Sequence, residues 1–555
     1  MAAGALSRQS RLHLVSVLDE RSAAFVALGV AAATGRGVVV VTTSGTAVAN
    51  LLPAAVEADR STQPLLLFTA DRPGRLKECG ANQAVNQETF LQPACRWFGS
   101  SHLAGMNYLT ASDIHALASQ AWYMAHGLSS SISPPGPVHL NLPLEEPLYA
   151  SIEDQSYLFS QLNSRDITNI SCSPPDYSLS KIGLPPSKYH LDLERPGVIL
   201  AGPWRGLEGH LPAFQDALRN LQACCGWPIL ADPLSAVPAD CPGRIEVWEP
   251  SLEVLPQPFA NLQVLRLGPL SPSRGLERWL LNQGGPQLLI SEGDPRQLDP
   301  LGCALQDGAG LATWWQRQSW GKRPSATEDL LACWQANDHH ALACLERELP
   351  LSGPASEPAL AFRLSRLIPP NIPTMLAASS PVRDWLSWSG GGGGRRCYGF
   401  RGASGIDGTL SLGLGLAMGC GRAVLVTGDL ALIHDSNGWL IANSDGPPLL
   451  VVLVDNNGGG IFEQLSLVLD PVTAFESLFA MPQRVDLIAL AASHGIPHRQ
   501  LTHLEELAGA LAWGLDQAGP ALLRICTDRR RDVALRHHLR RQLVKRLSGT
   551  RPEWT

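Results

Sequence analysis

The sequence is poor in charge. Only 17% of its 555 residues are Asp, Glu, Lys or Arg, and their formal balance is −7. A nucleic acid or an anionic membrane surface calls for a basic footprint, so neither is expected as a partner. No Cys-x-x-Cys pair occurs. The 12 cysteines are scattered, and Cys224 and Cys225 are merely adjacent. That spacing excludes a disulfide scaffold and a thiolate metal site, and it fits reduced thiols in a cytoplasmic setting. No apolar stretch reaches the roughly 18 residues of a membrane span, and the N-terminus lacks a signal-peptide core. The middle of the chain has no G-x-G-x-x-G, the phosphate-binding fingerprint of a dinucleotide fold.

What is present is apolar: 45% hydrophobic residues, enough for several buried cores. The length suggests roughly three or four domains. Helical and strand patterns alternate throughout, which predicts α/β domains with parallel sheets. In the first region Glu20 to Thr34 reads as a buried helix, Val38 to Thr43 as a strand, Ala47 to Ala58 as a helix and Leu65 to Thr69 as a strand. Leu12 to Leu18 reads as a further extended strand. A Pro- and Ser-rich stretch, Ser151 to Ser187, reads as a linker. Beyond it, strands are expected at Val198–Ala201, Pro228–Ala231, Gln263–Leu267 and Gln287–Ser291, and then at Ala423–Thr427 and Leu449–Asp455. The division is therefore 1–150, a linker at 151–195, a middle domain at 196–350 and a last domain at 351–555. Five glycines, Gly390 to Gly394, have no following Lys-Ser/Thr, so they read as a flexible loop rather than a phosphate cradle. The basic tail Arg529 to Arg546 reads as a solvated helix.

The chemistry is most legible at two strand ends. Val424 to Asp429 reads VLVTGD, and Leu449 to Asn457 reads LLVVLVDNN, with His434 to Ala442 as a candidate crossover helix between them. Parallel sheets bind ligands at the carboxyl ends of their strands, so Asp429 and Asn456 should share one rim. A carboxylate, an amide oxygen and a turn carbonyl at Gly458 are hard oxygen ligands that suit Mg²⁺ (or Mn²⁺) beside phosphate. Gly428 and Gly458 would let the backbone approach a diphosphate, whose charge a helix N-terminus would favour. His434 sits at a strand–helix junction and reads as structural. The pattern resembles the thiamine-diphosphate motif, in which Gly-Asp-Gly is usual; here Leu430 takes the third place. That cofactor needs a carboxylic acid beside its aminopyrimidine ring, held in a dry, strongly coupled site. Glu20, between an extended run and an apolar helix, is the candidate. Position alone favours a first-turn charge complementing the helix dipole; the family resemblance reverses that preference.

Several segments then converge. Asp19-Glu20-Arg21-Ser22, Thr43-Ser44-Gly45-Thr46-Ala47-Val48-Ala49-Asn50, Thr69-Ala70-Asp71-Arg72-Pro73 and Cys79-Gly80-Ala81-Asn82-Gln83-Ala84 lie in the first domain. Ser379-Ser380-Pro381-Val382-Arg383-Asp384, Arg401-Gly402-Ala403-Ser404-Gly405-Ile406-Asp407-Gly408 and Asp455-Asn456-Asn457-Gly458-Gly459-Gly460-Ile461-Phe462 lie in the last. Together they resemble the MenD family, the 2-succinyl-5-enolpyruvyl-6-hydroxy-3-cyclohexene-1-carboxylate synthases. The resemblance implies three α/β domains: pyrimidine-binding, middle and diphosphate-binding. It implies a transferase (carboligase) using thiamine diphosphate and Mg²⁺ (or Mn²⁺). Such an enzyme decarboxylates 2-oxoglutarate and adds the four-carbon remainder to isochorismate, in menaquinone or phylloquinone synthesis. It implies a homodimer, or a dimer of dimers, with the site between subunits.

By motif position the resemblance assigns Glu20, Asn82 and Gln83 to catalysis. Arg72, Ser379, Arg383, Arg401 and, through a looser match, Arg274 go to the dicarboxylate substrates, which guanidinium groups grip bidentately. Gly428, Asp429, Asn456, Gly458, Ile461, Phe462 and Leu465 go to the cofactor, and Asp429, Asn456 and Gly458 to the metal. Family members carry a further N-terminal Pro-Gly-Ser-Arg-Ser element. This chain begins at Met1-Ala2-Ala3-Gly4, so the first domain is expected to be truncated, or its start placed too late, and the short form poorly soluble and weakly active. The alternatives are another thiamine-diphosphate decarboxylase or carboligase, and an inactive cofactor-binding homologue.

Overall fold

The computed structural model describes residues 12–128, 133–146, 148, 151–157, 191–192, 195–254, 261–318, 326–391, 394–442, 446–465 and 472–549. Three wholly parallel sheets carry the chain. The first comprises β1 (Val38–Thr42), β2 (Leu65–Asp71), β3 (Trp97–Ser100) and β4 (Pro137–Pro143) in the order β1-β2-β4-β3. The second comprises β5 (Gly197–Ala201), β6 (Ile229–Ala231), β7 (Arg244–Ile245), β8 (Gln263–Leu267), β9 (Gln287–Ile290) and β10 (Leu305–Asp307), in the order β10-β9-β8-β5-β6-β7.

The third sheet positions the site. It comprises β11 (Thr374–Leu376), β12 (Cys397–Tyr398), β13 (Ala423–Gly428), β14 (Leu449–Asp455), β15 (His498–Leu501) and β16 (Ala521–Cys526), in the order β12-β11-β13-β14-β16-β15. Every residue of β14 is buried. Helices cover both faces of such a sheet, which is why its sequence is an unbroken apolar run and not an alternation. β13 and β14 pair in register, Gly428 opposite Val454, so the residues that follow them emerge side by side. β11 pairs with β12 on one side and β13 on the other. The order therefore reverses there, the position at which open parallel sheets bind ligands.

The first and third sheets share one core through two helices, Glu20–Thr34 and Thr409–Cys420. They approach closely because both carry glycine. A Cβ at Gly29 would lie 2.4 Å from the Leu412 carbonyl oxygen, and one at Gly415 would lie 2.1 Å from that of Val26.

Some expectations are corrected. Leu12 to Leu18 forms no strand; Leu12, Leu14, Val15 and Leu18 are exposed. Apolar content without a ladder partner does not make a strand. Ala47 to Ala58 is two helices, Thr46–Ala49 and Leu52–Ser61, the second with a proline in its first turn, where a missing N–H costs nothing. The connection after β13 starts at Asp429 itself, as helix Asp429–His434 followed by a 3₁₀ turn, Ser436–Leu440, and not at His434. Most of the linker, and the chain's start at residues 1–11, lie outside the described residues.

The basic tail is a helix, Arg529–Gly549, but not a solvated one: Leu539, Leu543 and Asp532 are fully buried. The spacing of Leu539 and Leu543 puts one apolar stripe inward beneath the surrounding arginines. On that face Arg536 donates to Asp384 through Nε (2.8 Å) and Nη2 (2.6 Å), and Nη2 also reaches Glu357. Burial pushes the carboxyls of Asp384 and Asp532 up. Arg536→Ala would leave this cluster without its cation, a loss of roughly 3–5 kcal/mol, or a thermal midpoint lower by roughly 6 °C or more. An unchanged midpoint in a thermal melt would refute the assignment.

Candidate active site

Over the carboxyl ends of β11, β13 and β14 lies a cavity of about 390 Å³. Ser379, Arg383, Arg401, Asp429, Asn456 and Phe462 are among the residues lining it. Ser379 follows β11 in a left-handed conformation, φ 75°, that a serine adopts only when its surroundings hold it there.

At one end two carboxylates and an amide crowd together. Asp429 Oδ2 accepts from the Gly458 N–H at 2.6 Å, and Oδ1 accepts from its neighbour Leu430 at 2.8 Å. These bonds tie the two strand ends into one rim. Burial and the adjacent Asp455 push the Asp429 carboxyl up to about 7. Asn456 donates its amide N–H to Glu357, and its Oδ1 is buried without a hydrogen-bond partner. Gly458 has φ 124°, and a Cβ there would lie 2.2 Å from the Ala480 carbonyl oxygen. A Cβ on Gly428 would meet no atom within 4 Å, so the backbone faces open space. Phe462 packs edge-on to Phe479, ring centroids 5.7 Å apart, and forms an apolar wall with Ile461.

The other end is cationic. Arg383 donates from Nη1 to the Ser379 carbonyl at 2.8 Å. Burial lowers the pKa of both Arg383 and Arg401, and for Arg383 the nearby Arg401 lowers it further. Neither guanidinium forms an ion pair among the described residues. Two half-buried, like-charged groups facing one cavity leave a demand for anions.

The sequence comparisons give the same segments. Residues 2–92 match the family model of the thiamine pyrophosphate enzyme N-terminal TPP-binding domain, and residues 394–525 that of the C-terminal TPP-binding domain. A 2-succinyl-5-enolpyruvyl-6-hydroxy-3-cyclohexene-1-carboxylate synthase of Prochlorococcus marinus (strain MIT 9313) is 54% identical over 99% of this chain and 95% of its own length. The synthase of Synechococcus sp. (strain CC9605) is 57% identical over 97% of this chain and 92% of its own length. The chain belongs to this synthase family. A solved structure described as a candidate thiamin diphosphate-dependent enzyme from Mycobacterium smegmatis has the same fold, with a TM-score of 0.60 at 18% identity over 93% of this chain and 92% of that one.

The geometry suits the synthase family's cofactor. A divalent cation would meet the orphaned Asn456 oxygen and relieve the Asp429–Asp455 repulsion, and a diphosphate would meet the open backbone at Gly428. The expected residues fall into two groups. Ser379, Arg383, Arg401, Gly428, Asp429, Asn456, Gly458, Ile461 and Phe462 all line the cavity. In the first sheet's loops, Arg72 donates to the Asn82 carbonyl and to Gln83 Oε1, both at 3.3 Å, so these three form a second cluster that does not line it. Glu20 is half-buried and opens the helix Glu20–Thr34; it too lies outside the cavity. Leu465 is 39% exposed and is not among the residues that line the cavity. The looser match of Arg274 does not reach the site: it is exposed at the start of the helix Arg274–Leu281 in the middle of the chain. Glu357 and Asp384 also line the cavity. Asp384 closes the Ser379–Asp384 motif without having been given a role, and Glu357 falls in no motif, because the partner that places both, Arg536, is far along the chain.

Proposed function

We propose that the chain is a 2-succinyl-5-enolpyruvyl-6-hydroxy-3-cyclohexene-1-carboxylate synthase, and that it acts as a homodimer, or a dimer of dimers, in the cytoplasm. The observation that carries the reading is the cavity itself. It pairs an oxygen-rich, glycine-open rim with two guanidinium groups that form no ion pair among the described residues, in a chain 54% identical to such a synthase. Asp429, Asn456 and the Gly458 carbonyl would hold Mg²⁺ (or Mn²⁺) and, through it, the diphosphate of thiamine diphosphate. Bound there, the cofactor supplies a carbon nucleophile that lets a 2-oxo acid lose carbon dioxide and inverts the polarity of its carbonyl carbon. 2-Oxoglutarate gives up one carbon dioxide, and its former carbonyl carbon bonds to the β-carbon of the unsaturated acid isochorismate.

The chain's own residues bind and orient these partners. Arg383 and Arg401 take substrate carboxylates, and Ser379 adds a neutral hydrogen bond. Ile461 and Phe462 support the cofactor and the ring substrate and keep water from it. Glu20 shares the activating proton with the aminopyrimidine ring, and the Arg72–Asn82–Gln83 cluster adds polar contacts to substrate. In a homodimer the first sheet of one copy would face the third-sheet cavity of another, which accounts for the separation of the two clusters in a single chain. The free cysteines of the described residues, and the lack among them of a helix long and apolar enough to cross a membrane, support a cytoplasmic site.

Arg383→Ala and Arg401→Ala are each expected to raise the KM of at least one dicarboxylate by roughly 10-fold or more, the loss of a charge-assisted pair. Steady-state kinetics with each substrate varied in turn tests this. Parental KM values in both variants would show that the guanidinium groups do not bind substrate.

A further inference from the structure

We propose that Glu57, a residue of the first-sheet region outside the cavity, is the positioning residue that holds Arg401 in the substrate site, acting through the Gly402–Ser404 turn. The inference rests on the reading of Arg401 as a substrate anchor. Glu57 lies on the helix Leu52–Ser61 and is 4% exposed. Its Oε1 accepts from the Gly402 N–H at 2.7 Å, and its Oε2 accepts from Ala403 at 2.6 Å and Ser404 at 3.2 Å. Three successive backbone N–H groups thus converge on one carboxylate, an anion nest, with Ser404 at φ 62° completing its curve. No guanidinium or ammonium forms an ion pair with Glu57 among the described residues, so the nest, helped by the charge of nearby Arg205, is what makes burial of the carboxylate tolerable.

A second grip comes from the middle of the chain. Arg205 donates from Nη2 to the Arg401 carbonyl and from Nη1 to the Arg60 carbonyl, each at 2.9 Å. The fit is close: a Cβ on Gly402 would lie 2.8 Å from both Arg60 Cβ and the Glu57 carbonyl oxygen. The backbone of residues 401–404 is therefore fixed by elements outside the third sheet, while Arg401 and Ser404 line the cavity. A carboxylate is specifically suited to this. A glutamine of the same shape has one acceptor oxygen, and its NH₂ would face a backbone N–H.

The test is a double-mutant cycle on the full-length protein with Glu57→Gln, Arg401→Ala and the pair. KM and kcat are measured for both dicarboxylates, and thiamine diphosphate affinity is measured by calorimetry on the same preparations. Glu57→Gln is expected to raise the KM of the same substrate as Arg401→Ala, by roughly 3- to 10-fold, with cofactor affinity unchanged. The pair should be no worse than Arg401→Ala alone, because Glu57 acts through that side chain. A parental KM in Glu57→Gln, or additive losses in the pair, would overturn the proposal while leaving the function intact. Parental kinetics in Arg401→Ala would instead overturn the substrate-anchor reading and the proposal with it. Should Glu57→Gln fail to fold, Arg205→Gln cuts the other grip and is expected to give the same KM signature and the same non-additivity; parental KM or additivity there overturns the proposal.

Discussion

Glu20→Gln is expected to lower turnover by on the order of 10²-fold or more, the scale of a lost proton-transfer group, with thiamine diphosphate affinity nearly unchanged. The alternative role for Glu20, as a helix-end charge, is weakened by its neighbour. Asp19 already caps the helix, its Oδ1 accepting from the N–H groups of Arg21 (2.8 Å) and Ser22 (3.3 Å). Among the described residues no hydrogen bond engages the Glu20 carboxylate, which leaves it available to a ligand. The end of the helix is held firmly: Arg21 donates to the His434 carbonyl at 3.2 Å, and Asn437 to Asp19 at 2.8 Å. Glutamine keeps the shape and cannot share a proton with the aminopyrimidine ring. Binding should survive, because the proposed diphosphate anchor is at Asp429 and Asn456. Near-parental turnover in steady-state assays would remove Glu20 from the mechanism.

Asp429→Ala and Asn456→Ala are expected to weaken Mg²⁺-dependent cofactor binding more than any other single changes. Each removes a proposed oxygen ligand, and even outer-shell changes at metal sites cost roughly 10- to 100-fold in affinity. The Asp429 variant should lose more. It removes charge, and it also frees the Gly458 N–H that the carboxylate holds at 2.6 Å, loosening the turn that presents the third oxygen. Asp429→Asn separates the two effects, keeping an acceptor for Gly458 while deleting the charge. Calorimetry with thiamine diphosphate at fixed Mg²⁺ reads all three. Unchanged affinity in both alanine variants would refute the metal assignment.

How much of this was legible in the sequence follows from where each signal lives. β13 and β14 announce themselves because both are long, apolar and buried on two faces, and their functional residues sit at their very ends. The glycines at 428 and 458 were readable because they stand at those same strand ends, although what crowds Gly458 is the Ala480 carbonyl, distant in sequence. The arginines were not. Arg383 and Arg401 look like surface charges until a family pattern singles them out, because only the fold places them on one cavity. Short strands also escaped. β11 has three residues and β12 two, too few for a period to show. β4 is an interior strand bounded by Pro137 and Pro143, residues that signal an edge or a break unless they fall at strand ends. Leu12 to Leu18 misled in the opposite sense, since its composition promised a strand that no neighbour completes. Least legible were Glu57 and Glu357, buried acids whose partners are distant in sequence: 345 to 347 residues away for Glu57, and 99 and 179 for Glu357.

The reaction itself can be read in a single incubation. The purified protein is mixed with thiamine diphosphate, Mg²⁺, 2-oxoglutarate and isochorismate, and the products are identified by mass. The expected product is 2-succinyl-5-enolpyruvyl-6-hydroxy-3-cyclohexene-1-carboxylate, formed with one carbon dioxide per adduct and only when both substrates are present. Release of carbon dioxide from 2-oxoglutarate with no isochorismate adduct, or no turnover of either substrate, would contradict the proposed reaction.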